Sequence, residues 1–202
     1  MTRTAFLLLL LFLSPACGGP QPAERKAEQG EVLLNVTGML KGRLDPCGCA
    51  SNQLGGLPTR KTWHWMRRHI DALRLEGCGF LPSARYGRPF CDLVCRIVLR
   101  ALGRGSGGIG VDALGVAAAD CLLGAERLAR IAAGTEPPPL VSCNLVDPTG
   151  TIRSSLLLTS RGEKVWVTSA TPGPLPPGAT GFGLREWRTA LRRALREEAP
   201  AD

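Results

Sequence analysis

Apolar positions in this chain come in short runs separated by glycine, proline and charge, and their period changes from run to run. Residues 31–37, Glu-Val-Leu-Leu-Asn-Val-Thr, are β-prone and fit a buried first strand. Over 60–75 the spacing turns helical, with Trp63, Met66, Ile70 and Leu73 on one stripe. Residues 92–102 repeat that helical spacing, and the glycines of 103–110 break it. A strand is expected at 111–114, a helix at 124–133, and a buried strand at 140–143 after three prolines. Residues 156–159 and 164–169 flank Ser160-Arg161-Gly162-Glu163 and read as a hairpin. After a Pro/Gly loop, 182–198 reads as a last helix with Leu184, Trp187, Leu191 and Leu195 inward. Strands alternating with helices argue an α/β fold.

The first thirty residues lie outside that pattern. Arg3 precedes a continuous apolar run at 5–13, and Leu13-Ser14-Pro15-Ala16-Cys17 resembles a lipoprotein cleavage site just before the cysteine. The run is too short to span a bilayer as a helix. Residues 1–16 are therefore expected to be a lipoprotein signal peptide, with Cys17 the lipidated residue. An ordinary signal peptide with an incidental Cys17 is the plainer alternative. Residues 17–30 are polar, hold Gly and Pro, and cannot bury a core, so they read as a flexible tether. Residues 31–202 are enough for one domain. The expected location is the periplasmic side of a bacterial membrane, the outer membrane before the inner, with the lipid anchor as the contact.

Charge and cysteine content narrow the chemistry. The net charge is +8, but the arginines are scattered along helices and not interleaved with aromatics, which argues a solvated basic surface and no nucleic-acid partner. Of the eight cysteines, seven remain once Cys17 is set aside, and spacing alone does not fix their connectivity. Cys91 and Cys95 sit one helical turn apart without a second pair of ligands. His64 and His69 are five residues apart, about 140° around a helix, and cannot chelate one ion from one face. Residues 103–108 fit G-x-G-x-x-G but follow a helix and precede a strand, the wrong order for a dinucleotide site.

The stretch after the first strand carries the chemistry. Cys47-Gly48-Cys49 places two thiols one residue apart, ahead of a Gly55-Gly56 turn. Such a pair forms a strained disulfide, holds a soft metal, or carries a reactive thiolate. Lys41 and Arg43 lie close enough in sequence to favour the thiolate.

Three blocks, in order, resemble the 5'-nucleotidase branch of the calcineurin-like metallophosphatases. More narrowly they resemble a UshA-like group of bacterial lipoproteins with a D-P-C-G-C segment, some with selenocysteine at a cysteine position. Residues 37–46, TGMLKGRLDP, parallel the opening metal motif T-N-D-x-H-G-x-L-x-P. Residues 55–60, GGLPTR, parallel the G-G-x-A-R segment that starts the first helix. Residues 111–120, VDALGVAAAD, and then 140–145, LVSCNL, parallel the G-N-H-E-F-D block and the later S-A-N-V strand. The resemblance implies a partial αββα sandwich, the N-terminal portion of a metallophosphatase-like domain, with Gly55, Gly56, Arg60, Asp120 and Asn144 as motif residues. The metal ligands do not carry over. Met39 stands for the Asp, Lys41 for the His, and Val116, Ala117 and Ala118 for Asn-His-Glu, leaving Asp120. No Gly-Asp motif for a bridging carboxylate occurs between Leu75 and Val111. Residues 77–104 depart furthest from the family, with three cysteines, five arginines and one acid.

A dinuclear centre needs clustered carboxylate and imidazole donors, so no cofactor is expected. The leading expectation is a redox or thiol-binding site at Cys47 and Cys49, where one thiolate attacks and the other resolves, with an unidentified redox partner. A disulfide from either cysteine to Cys78, Cys91 or Cys95 is its structural alternative. A residual hydrolase, holding divalent metal through Asp45, His64 and Asp120, is the second expectation. A non-catalytic surface lipoprotein that binds a partner is the third.

Overall fold

A computed structural model describes residues 31–38, 40–45, 56–66, 70–82 and 86–197. Strands β1 (Leu34–Thr37), β2 (Leu73–Glu76), β3 (Ala113–Gly115), β4 (Leu140–Val141) and β6 (Ile152–Arg153) form one parallel sheet, in the order β1-β2-β3-β4-β6. Its register sets Thr37 beside Glu76, Glu76 beside Leu114, and Gly115 beside Val141. Helices α1 (Gly56–Met66), α2 (Arg88–Leu102) and α3 (Ala125–Ala133) are the successive crossovers. Each crossover adds its next strand on the same side, and right-handed crossovers then put all three helices on one face. The main core lies there. Leu57 of α1, Val94, Val98 and Leu99 of α2, and Leu128 and Ile131 of α3 pack with Leu114 and Leu140 of the sheet.

A hairpin covers the other face. Strands β7 (Leu156–Ser160) and β8 (Glu163–Val167) pair antiparallel through Arg161 and Gly162, both at positive φ (55° and 87°), the backbone that a tight two-residue hairpin turn requires. Leu156, Leu158 and Val167 face Ala113 and Val141 of the parallel sheet. Trp166, one residue out of that alternation, packs with Leu191, Ala190 and Ala194 of the last helix, α4 (Trp187–Glu197). The layers therefore run helix, sheet, hairpin, helix, which is the expected α/β, αββα arrangement. A short antiparallel ribbon of β5 (Leu145–Val146) and β9 (Gly183–Leu184) ties the chain ahead of α4 back to the segment after β4.

Two elements differ from expectation. The helix read over 60–75 begins at Gly56, is described to Met66, and gives way to strand β2. The sequence Leu73-Arg74-Leu75-Glu76 also alternates with period two, and residue-by-residue pairing with β1 decides in favour of the strand. The predicted stripe does not form: Met66 is 49 % exposed, and Gly56, Leu57 and His64 are the buried residues of α1. The helix read from 182 starts instead at Trp187, because residues 183–184 pair with β5. Glu186 caps it, its carboxylate accepting from Arg188 N at 2.9 Å and Thr189 N at 2.7 Å. Its buried positions are Ala190 and Ala194, while Leu195 is exposed.

Candidate functional site at the carboxyl edge of the sheet

In an open parallel sheet the loops leaving the carboxyl ends of the strands form the ligand-binding edge. Here the loops after β1 and β2 are joined. Lys41 N donates to Gly79 O at 2.7 Å and Gly42 N to Phe80 O at 3.0 Å. Gly42 is at φ +69°, and a Cβ there would lie 2.7 Å from Pro82 Cβ, so the contact requires glycine. Downstream, Leu57 N donates to Leu44 O at 3.0 Å, so the two flanks of residues 46–55 meet beside this edge. Cys47, Cys49 and Gly55 themselves lie outside the described residues, as do Cys17, Met39 and His69. Gly56, buried at φ +73°, opens α1 directly after that segment.

The sequence reading missed the most prominent acid at this edge. Glu76 closes β2 with its side chain 1 % exposed. Both its oxygens accept from Arg60 Nη1, Oε2 also accepts from Thr37 Oγ1, and Arg60 Nη2 donates to Gly38 O at 2.8 Å. One guanidinium thus ties α1 to the residue just after β1 and to the last residue of β2. A buried carboxylate is tolerated only when paired and hydrogen-bonded in this way. The signal was available in the sequence, since the alternating Leu-Arg-Leu-Glu ends at a Gly77-Cys78-Gly79 turn, but a helix assigned through residue 75 hid it.

Asp120 and Asn144 are satisfied by the main chain. Asp120 is fully buried at the 3₁₀ turn Ala118–Leu123 after β3 and accepts from Gly79 N and Leu81 N at 2.8 Å and Ala117 N at 2.9 Å. Burial pushes this carboxyl up to about 6, against the opposing pull of those amides. Asn144, just after β4, donates to Thr171 O at 2.8 Å and Arg185 O at 3.2 Å, and accepts from Thr171 N at 2.8 Å and Ser142 Oγ at 3.2 Å. Thr171 Oγ1 in turn donates to Val116 O at 2.6 Å, closing the end of β3. Both motif residues act as clips between loops.

Among the described residues, the side chains at the motif positions have other partners or no ligand atom. Glu76 is neutralised by Arg60, three amides occupy Asp120, and Val116, Ala117 and Ala118 offer no ligand atom. The alternative trio is not brought together either. Asp45 is exposed, and His64 is buried on α1 with Nδ1 accepting from Asn35 Nδ2 at 3.2 Å. Burial first, then the Arg74 and Arg60 charges, hold that imidazole below its ordinary value. Among the described residues no three His, Cys, Asp or Glu side chains form a metal-holding group.

The buried thiols on this side are poor nucleophiles. Burial raises Cys95 and Cys121 to about 12 and also raises Cys91, while Cys78, half-buried just after β2, is raised by burial and then by the Asp120 charge. Lys41 and Arg43, the cations nearest the CGC segment in sequence, are exposed.

No protein-family model and no curated protein matches the chain. Solved structures do. A 5'-nucleotidase precursor from Thermus thermophilus superposes with a TM-score of 0.65 at 16% identity, over 82% of this chain and 34% of that one. A putative 5'-nucleotidase from Staphylococcus aureus gives 0.57 at 17%, over 81% and 34%. The NAD nucleotidase of Haemophilus influenzae gives 0.56 at 12%, over 83% and 32%. The chain therefore has the metallophosphatase-like α/β fold of the 5'-nucleotidases. It spans about a third of the length of each. No described helix is long and apolar enough to cross a membrane.

Proposed function

We propose that this chain is an exported lipoprotein that carries a thiol redox site, Cys47 and Cys49, on a 5'-nucleotidase-like frame without the usual dinuclear metal ligands. The observation that carries this reading is the state of the two buried carboxylates at the carboxyl edge. Glu76 is held by Arg60 and Thr37, and Asp120 by three amides, which leaves each carboxylate little free acceptor capacity and supports a reading without hydrolytic metal chemistry. Leu44 and Leu57, on either side of residues 46–55, are joined by a hydrogen bond beside that edge, which supports the CGC segment as the thiol site.

The reaction is thiol–disulfide exchange. The thiolate of one cysteine attacks a disulfide of the redox partner, forming a mixed disulfide and releasing a partner thiolate that takes up a proton. The second cysteine, as thiolate, attacks the first sulfur and releases the partner dithiol. The CGC pair is oxidised by two electrons as the partner is reduced, and the reverse sequence oxidises the partner. A bridge between cysteines one residue apart is tight and easily reduced, which suits exchange better than structural bracing. An acylated Cys17 would hold the site at the periplasmic face of a membrane.

The test is alkylation rate against pH on the reduced protein, with Cys47→Ser and Cys49→Ser variants. At least one of the two thiols titrates clearly below the ordinary value of about 8.5. Normal titration of both, with neither variant changing the rate, contradicts the reading. Mass spectrometry of the same protein from the membrane fraction should find acyl chains on Cys17, and an unmodified Cys17 removes the anchor.

A further inference from the structure

We propose that the outer face of α2, flanked by the arginines of α3, docks on an anionic lipid bilayer. The helix is apolar on two sides. Cys91, Val94, Cys95, Val98, Leu99 and Leu102 fill the core, yet Phe90 (44 %), Leu93 (55 %) and Ile97 (38 %) are exposed. These three recur at spacings of three and four and so share one stripe. Tyr86, itself 48 % exposed, extends it towards the amino end, its ring centroid 5.3 Å from that of Phe90.

Charge says what kind of partner the stripe fits. Arg96 and Arg100 stand on the same outward side of α2. Arg88, Arg127 and Arg130 line an open cavity of about 500 Å³ against the amino end of α3. Two acids share this ground: Asp92, buried and paired with Arg127, and exposed Glu126. An apolar stripe with a cationic border matches an interfacial helix, whose apolar side chains enter the acyl boundary while guanidinium groups stay level with lipid phosphates. Free phosphate or nucleic acid accounts for the arginines and leaves the stripe unexplained. The fifteen residues of α2, lying flat, offer about 22 Å of such contact. This surface extends the anchored reading of the N-terminus but rests on α2 and α3 alone, so the thiol site and the anchor can each fail without it.

The experiment is vesicle flotation of the chain from Gly18 onward, which keeps every described residue and removes Cys17. The protein should float with phosphatidylglycerol vesicles and remain at the bottom with phosphatidylcholine vesicles. Its bound fraction should fall several-fold as salt is raised. A Leu93→Glu/Ile97→Glu variant should lose binding at least tenfold, and Arg96→Glu/Arg100→Glu should lose it comparably, both with unchanged circular dichroism. Two substituted pairs keep the question open to refutation if one of them fails to fold. Absence of flotation with phosphatidylglycerol overturns the proposal. So does competition by millimolar inorganic phosphate, which marks an anion pocket. Sedimentation as a dimer that Leu93→Glu/Ile97→Glu dissociates also overturns it, because a second copy then covers the face.

Discussion

At the β1–β2 margin of the sheet Glu76 is satisfied by side chains, Arg60 and Thr37, whereas towards the centre Asp120 is satisfied by the main-chain N–H groups of Gly79, Leu81 and Ala117. The surroundings differ in the same sense. β1 is an edge strand with Leu34 and Val36 exposed, while all three residues of β3 are buried between helices and hairpin. A carboxylate caged by backbone is as permanent as the loops that supply the amides. A carboxylate held by one guanidinium depends on that guanidinium. The β1–β2 margin is thus held by one replaceable charge, and the centre by the fold itself. Opening of the domain should begin at the margin, where fewer apolar contacts protect the backbone.

The largest effect expected from breaking this contrast is at Arg60. Arg60→Ala leaves a carboxylate that is 1 % exposed without its counter-charge, which should cost about 3–5 kcal/mol in urea unfolding. Arg60→Met with Glu76→Gln should recover a large part of that loss, because the buried charge is gone. A single-variant loss below about 1 kcal/mol would mean that water already screens the pair.

Asp120→Asn should cost less, on the order of 2 kcal/mol, since the amide keeps one acceptor oxygen for the surrounding N–H groups. It also has a pH signature. The folded-state value of about 6 lies above the ordinary 3.8, so the folded state favours the protonated form. The stabilisation this gives is full below about pH 4 and is lost as pH rises through about 6. The stability advantage of the unsubstituted chain over Asp120→Asn should therefore shrink between about pH 4 and 6. An advantage that grows with pH would show the three amides outweighing burial.

How much of this was legible depended on how local each cause is. The β7–β8 hairpin could be read because Arg161-Gly162 sits between two strand-like runs, and α2 and α3 because their periodicity is strong. β2 could not, because its four residues fit the tail of a helical stripe and only pairing with β1, nearly forty residues away, decides otherwise. Glu76 was lost with it. The motif resemblance picked out Gly56, Arg60, Asp120 and Asn144, but not that the last three are consumed by internal bonds; those bonds run to Glu76, Gly79, Leu81 and Thr171, which no local pattern connects to them. On α4 the expected inward Leu191 does pack with Trp166, but Leu195 is exposed and the small residues Ala190 and Ala194 fill the buried positions.

Metal content and nucleotide hydrolysis can both be measured on one preparation, purified and then incubated with manganese, zinc or calcium. The proposed reading is a 5'-nucleotidase-like frame without the dinuclear donor set. It predicts well under one tightly bound ion per chain after desalting, and no release of phosphate from nucleoside monophosphates above the protein-free rate. Two retained ions per chain, with phosphate release that a chelator abolishes and added metal restores, would contradict it.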